Sequence, residues 1–103
     1  MANRHFRTVE YQMPLDAVFS LYMEALPAAG FRAVPNYEHR SIVAHVGVSF
    51  WSWGENINIA MTVTPSGSTA VTIYSASSYA LVDWGKNRKN VEKILAAVNA
   101  RLR

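Results

Sequence analysis

Cysteine is absent from this sequence of 103 residues. Disulfide bonds, thiol catalysis and cysteine-ligated metal sites are therefore excluded. Charged residues are also scarce, at 17% of the chain, whereas half of the residues are hydrophobic when alanine and tyrosine are counted. Because such a chain can bury enough apolar surface to fold, we predict a single ordered domain over residues 1–103.

Long apolar runs and catalytic motifs are absent as well. No window approaches the roughly 20 apolar residues of a membrane-spanning helix, and residues 1–7 lack the apolar run of a signal peptide. The sequence contains no nucleophile elbow, phosphate-binding glycine loop or dinucleotide fingerprint. We therefore predict a cytoplasmic protein with no membrane span, no cofactor and no enzymatic activity.

The strongest pattern that is present is an alternation of apolar and polar residues on both sides of residues 65–67. Strict alternation is typical of strands with one buried and one solvated face. Residues 65–67, Pro-Ser-Gly, favour a type I turn followed by a glycine in the left-handed region, which is the common three-residue hairpin loop. The expected pairs are Thr64 with Ser68, Met61 with Val71, and Ile59 with Ile73.

Three further strands precede this hairpin in the sequence. We predict the first over residues 4–12, with Val9 and Tyr11 facing inward and Phe6 on the opposite parity. The second is expected over residues 31–37 and the third over residues 41–48. Proline suits an edge strand, a bulge or a strand end, so Pro35 marks one of these in the second strand.

Two helices complete the predicted order. Pro14 suits a helical first turn, and Pro27 and Gly30 predict that this helix ends within residues 26–29. Asp83 is the expected N-cap of the second helix, and Asn87 or Asn90 are expected to hydrogen-bond a loop or a sheet edge. The apolar stripes at helical spacing are Leu15, Val18, Phe19, Tyr22, Leu26 and Ala29 in the first helix, and Trp84, Val91, Ile94, Leu95, Val98 and Leu102 in the second.

The sequence therefore predicts an α+β two-layer sandwich, in which a five-stranded antiparallel sheet carries two helices on one face. The order β-α-β-β-β-β-α is similar to one repeat of the TATA-box-binding protein and, in reduced form, to helix-grip folds. Residues 52–55 and 83–91 also resemble small stand-alone bacterial domains of unknown function, over roughly residues 30–100. These resemblances imply a topology but no activity, because fold does not determine function.

The face of the hairpin that points away from the helices is the first candidate surface. It would present small or hydroxylated side chains of low charge, which suits a contact with a second copy or another protein. We therefore predict a non-enzymatic interaction module that self-associates through this open face. The expected interface residues are Asn58, Thr62, Thr72 and Tyr74, with Ala60 between them.

A small apolar ligand between sheet and helices is the alternative. The residues that would line such a pocket are Phe19, Tyr22, Met23, Trp53, Glu55 and Met61. The opposing interpretation is a fully packed core, since protein interiors pack as densely as organic crystals. Glu55 lies near Trp51 and Trp53 in the sequence, where its pKa could be raised for acid catalysis. The alternative is that Glu55 pairs with a lysine or arginine, or caps a nearby backbone amide.

Residues 83–103 contain six lysines and arginines against two acids. This excess favours the solvated face of a helix, or else binding to a membrane surface or weak binding to a polyanion such as nucleic acid. The solvated face is the more expected of these. The candidate polyanion contacts are Lys86, Arg88, Lys89 and Lys93. The histidines lack helical metal-site spacing, although His39 and His45 could converge with Glu38. We predict no metal site.

Overall fold

The computed structural model describes residues 4–46, 56–76 and 86–102. It confirms the predicted α+β class and element order. In chain order the elements are β1 (Arg4–Tyr11), α1 (Leu15–Ala28), β2 (Phe31–Asn36), β3 (Ser41–Val46), β4 (Asn56–Val63), β5 (Thr69–Ala76) and α2 (Lys86–Arg101). Neither of these two helices has the length and apolar character needed to cross a membrane.

The five strands form one antiparallel sheet in the order β1-β5-β4-β3-β2. β4 is therefore the central strand, and β1 and β2 are the edges. α1 contacts β2 and β4, whereas α2 contacts β1, β5 and α1. Both helices thus cover the same layer of side chains, which leaves the opposite face of the sheet without a helix among the described residues.

The hairpin between β4 and β5 has the predicted register. Met61 pairs with Val71 and Ile59 with Ile73. The Thr64 amide donates to the Ser68 carbonyl at 2.9 Å. Gly67 has a φ of 88°, so the loop contains the left-handed glycine that a three-residue connection needs. Because the loop has this length, the apolar residues of both strands face the helices.

The core lies between the sheet and the helices. Its buried hydrophobic residues come from every strand and both helices: Tyr11, Val18, Phe19, Tyr22, Ala25, Leu26, Phe31, Ile42, Ala44, Ile57, Ile59, Met61, Val71, Ile73, Val91, Ile94, Leu95 and Val98. Val9 packs against this cluster, whereas Phe6 points away from it and is 64% exposed. The predicted parity of the first strand is therefore confirmed.

α1 follows its prediction closely. Pro14 occupies the N-cap position, and the helix ends at Ala28, within the predicted range. Pro27 is accommodated in the last turn, where its missing N–H interrupts only the end of the hydrogen-bond ladder. Ala25 is buried and was not in the predicted stripe, because a small residue gives little periodic signal.

β2 is an edge strand, as Pro35 indicates, and it ends at Asn36, one residue before the predicted end. Asn36 Oδ1 accepts hydrogen bonds from the amides of Glu38 and His39, which starts the turn into β3. β3 is described as far as Val46. The predicted end of this strand at residue 48 lies outside the described residues.

α2 begins at Lys86 in the described chain, and the predicted Asp83 cap and Trp84 lie outside the described residues. The prediction for Leu102 was wrong. This side chain is 45% exposed because the helix ends at Arg101, so Leu102 leaves the helical stripe. Asn90 instead contributes to the buried side of the helix, at 8% exposure.

Candidate interaction surface

The sheet face that carries neither helix, here called the outer face, has one row of side chains that crosses all five strands. Cross-strand pairing aligns this central row, which consists of Phe6, Tyr74, Asn58, Val43 and Val34. Phe6 is 64% exposed and Val34 46%, at the two edges. Four of the five side chains are aromatic or branched aliphatic, so the row is an apolar band interrupted at its centre by an amide.

The row next to the central row is made of small and hydroxylated side chains. It runs from Thr8 through Thr72 and Ala60 to Ser41 and Asn36. The hydroxyl oxygens of Thr8 and Thr72 lie 3.3 Å apart, which ties β1 to β5 on this face. Short side chains leave the larger members of the central row accessible to a flat partner.

All four predicted interface residues lie on the outer face. Asn58 and Thr62 are exposed, and Thr72 and Tyr74 are half-buried by their strand neighbours. The sequence prediction missed Phe6, Val34 and Val43, because they belong to strands whose neighbours could be known only from the sheet order. The one signal in the sequence was that Phe6 alternates with Val9 and Tyr11, which places it on the opposite face of the first strand.

The acid and the arginines of the outer face lie at opposite ends of the strands. Glu10 follows the other outer-face residues of β1 and is in register with Ala70 and Thr62. Arg32, at the start of β2, is in register with His45 and Asn56, and the same row reaches Arg4 on β1. The side chains of Glu10 and Arg32 are exposed.

Glu10 is held in place by the hairpin loop. The Ser68 hydroxyl donates a hydrogen bond to Glu10 Oε2. Ser68 is buried and its hydroxyl lies 2.6 Å from that of Thr64 and 3.3 Å from that of Ser66. A carboxylate anchored by a buried hydroxyl has less rotamer freedom than a free surface glutamate, which makes it a well-placed charge.

The predicted pocket residues fall partly in the core. Phe19, Tyr22 and Met61 are buried members of the core cluster, and Met23 packs against it. Trp53 and Glu55 lie outside the described residues. The four described residues of this set therefore lie together between the sheet and the helices, as packed core side chains.

Two tyrosines form a polar contact inside that core. The hydroxyls of Tyr11 and Tyr22 are 2.7 Å apart, and their rings meet edge to face. Burial raises the pKa of both phenols above the ordinary value; the shared hydrogen bond partly offsets the rise at Tyr11 and adds to it at Tyr22. The pair thus stays neutral and satisfies two buried hydroxyls.

Asn90 is the unsatisfied polar group of the same layer. Its Nδ2 atom is buried and has no hydrogen-bond partner within the described part of the chain. The predicted hydrogen bond from this residue to a loop or sheet edge is therefore not seen among residues 4–46, 56–76 and 86–102. Asn90 is buried even without this hydrogen bond, because it lies on the same side of α2 as the buried residues Val91 and Ile94.

The basic side chains of α2 that the structure describes are exposed, and Arg88 and Lys93 each contact a neighbour. Arg88 Nε lies 3.4 Å from Glu92 Oε2, one helical turn away. The ammonium of Lys93 lies 5.9 Å from the ring centre of Phe31. Lys89 is exposed as predicted for a solvated helix face. The side chain of Lys86 lies outside what the structure describes.

Histidines and acids do not gather on the described surface. His39 lies 3.7 Å from Glu38, and both side chains are well exposed. His45 is in β3, opposite Arg32. Within residues 4–46, 56–76 and 86–102, no group of three or more histidine, cysteine or acidic side chains is placed to hold a metal ion.

Comparison with known proteins adds no family to this description. No protein-family model matches the sequence, and a search of curated proteins finds no significant match. The geometry of the chain itself is therefore the basis for a functional proposal.

Proposed function

We propose that this protein is a non-enzymatic interaction module that forms a homodimer through its outer face. The observation that carries the proposal is the central row, because it places apolar side chains in line across a face that no helix covers in the described chain. The row contains two neighbouring apolar pairs, Phe6 with Tyr74 and Val43 with Val34, on either side of Asn58, and grouped exposed apolar side chains mark interaction sites more than single ones do. A flat sheet face packs well on another sheet at about 10 Å separation.

The size of the face limits how strongly a second copy could bind to it. Five strands of six to eight residues span roughly 24 Å across and 20–26 Å along the strands, an in-plane area of about 500–600 Å². Specific interfaces bury about 600–1,000 Å² per partner. The face is thus just below that range, and we expect a weak dimer that dissociates on dilution.

The mixed charge of the face also supports this choice. A strongly basic or acidic partner would be matched by a face of one sign, whereas the outer face has Glu10 at one end of the strands and Arg4 and Arg32 in the row at the other end. Self-association requires a patch that complements itself. The ligand-carrier and polyanion alternatives have weaker support, since the core side chains pack on one another and two basic side chains of α2 are engaged.

Sedimentation over a wide range of protein concentration tests the dimer. We expect reversible association of the wild-type chain and at least about tenfold weaker association of Asn58→Lys, because this change puts a charge at the centre of the apolar row. The control is Ser20→Lys, which places the same charge on the exposed side of α1. A wild-type chain that stays monomeric at the highest concentration, or an Asn58→Lys chain that still dimerises normally, would overturn the proposal.

A further inference from the structure

The charges of the outer face lie in the first and the last of its four rows. The first row contains Arg4 on one edge strand and Arg32 on the other, in register with Asn56 on β4. The last row contains Glu10 on β1, in register with Thr62 on β4. Arg4 and Glu10 are thus about 20 Å apart along one strand, and the two arginines are about 19 Å apart across the sheet.

These three charges distinguish the ways in which a two-fold axis can relate two copies. An axis along the strands brings Arg4 of one copy over Arg32 of the other. One diagonal axis brings Arg4 over Arg4, and the other brings Glu10 over Glu10 and Arg32 over Arg32. Each of these arrangements opposes like charges, which costs affinity. An axis across the strands, midway between the first and last rows, opposes no like charges among these three.

We infer that the dimer has its two-fold axis across the strands, so that each strand lies over its own counterpart with the ends exchanged. This inference rests on the proposed outer-face dimer. On β1 the exchange places Arg4 of each copy opposite Glu10 of the other, and the symmetry makes this ion pair occur twice. On β2 it places Arg32 opposite the turn that contains the exposed Glu38. The strands of the two sheets are then aligned, which is one of the two usual arrangements of packed sheets.

The same axis fits the central row onto the row of small and hydroxylated side chains. It places Tyr74 of one copy opposite Thr72 of the other, and Phe6 opposite Thr8. Large side chains that face small ones interdigitate and fill the space between two layers. An axis along the strands would place the central row over itself, with Phe6 opposite Val34, and would leave the small side chains facing each other.

The hydrogen bond from Ser68 prepares Glu10 for this contact. The Ser68 hydroxyl is buried and donates to Glu10 Oε2, so the carboxylate is oriented before the second copy arrives. A preorganised charge loses less side-chain freedom on binding than a mobile one. Glu10 is therefore the residue that determines which end of β1 meets which end of the other copy.

Cysteine crosslinking tests the direction of the axis, because the chain has no cysteine of its own. Asn56→Cys and Thr62→Cys each place one thiol at an exposed position of β4, in the first and the last row. At a concentration where the wild type is dimeric, we expect a short bifunctional thiol reagent to join the two variants when they are mixed. Each variant alone should stay uncrosslinked, since its two thiols would be about 20 Å apart.

The other axes give different crosslinks. An axis along the strands would join each variant to itself, because every row then lies over the same row of the other copy. A diagonal axis would join neither the single variants nor the mixture, since it moves both positions of β4 towards the edge strands. Either result with a chain that dimerises would overturn the inference.

Charge exchange tests the pairing on β1. We expect Glu10→Lys and Arg4→Glu each to weaken self-association by roughly tenfold, since each opposes like charges at both ends of the strand. An equal mixture of the two variants should associate as the wild type does, because both ends then have opposite charges. A mixture of Glu10→Lys with Arg32→Glu should not, since the lysine still faces Arg4. These differences should shrink at high salt.

Further controls separate the possible results. Glu10→Gln retains an acceptor oxygen for Ser68, so it tests the charge without removing that hydrogen bond, and thermal melting of every variant checks the fold. If the wild type dimerises but Glu10→Lys is rescued by Arg32→Glu and not by Arg4→Glu, the pairing on β1 is wrong and the dimer proposal stands. If the wild type is monomeric in sedimentation, the dimer proposal itself fails, and this inference with it.

Discussion

The two faces of this sheet are built from the same strands but have opposite chemistry. On β4 the inward residues Ile57, Ile59 and Met61 are at most 4% exposed, while their neighbours Asn58 and Ala60 are exposed. The inner-face residues of each strand stabilise the fold, whereas the outer-face residues can change without disturbing the core. A substitution on the inner face is therefore expected to cost more stability than one on the outer face.

The largest expected effect is on the inner face. Ile59 is 1% exposed and pairs with Ile73 at the centre of the sheet, so Ile59→Ala is expected to lower the free energy of unfolding by about 2–5 kcal/mol. Chemical denaturation measures this value. The matched outer-face change Thr62→Val, on the same strand, is expected to stay within about 0.5 kcal/mol of the wild type. Equal losses from the two variants would contradict the assignment of faces.

A smaller effect is expected from the polar pair within the inner layer. Tyr22→Phe leaves the buried hydroxyl of Tyr11 without its partner, which is expected to lower stability by about 1–3 kcal/mol. Tyr11→Phe should have a similar effect. The double variant should be no less stable than either single variant, because both hydroxyls are then removed together. Additive losses in denaturation experiments would show that the two hydroxyls act independently.

The smallest effect is expected at alkaline pH. Burial raises the folded pKa of Tyr11 and Tyr22 above the unfolded value of about 10. The folded state thus retains protons that the unfolded state releases, so stability is complete below about pH 10 and falls as the pH rises above it. Tyr22→Phe should flatten this decline in thermal melts, whereas Tyr37→Phe, at a 63% exposed side chain, should leave it unchanged. If the wild type, Tyr22→Phe and Tyr37→Phe all lose stability equally above pH 10, the decline does not come from the buried phenols.

The fold could be predicted where one local rule decided the outcome. Alternation together with the Pro65-Ser66-Gly67 turn was enough for the β4–β5 register, since a loop of different length would have exposed Val71 and Ile73. α1 was predictable because its apolar positions have helical spacing and are bracketed by proline and glycine. In both cases the signal lay within a few residues of the feature that it predicted.

The candidate surface was only partly predictable because it depends on contacts between distant segments. Asn58 and Tyr74 could be placed together from the hairpin alone. Phe6 and Val34 could not, since their positions at the ends of the central row follow from the order of all five strands. The Tyr11–Tyr22 contact between a strand and a helix, and the inward position of Asn90, likewise follow from packing rather than from local pattern.

Pro35 on the edge strand β2 has a consequence for growth of the sheet. A proline cannot donate a backbone hydrogen bond, so a strand from another molecule that approaches this edge finds a gap in the ladder. Fibril formation by edge-to-edge addition needs two open edges on every molecule, because each must receive one neighbour and offer itself to the next. With the β2 edge interrupted at Pro35, edge-to-edge addition through this strand is disfavoured.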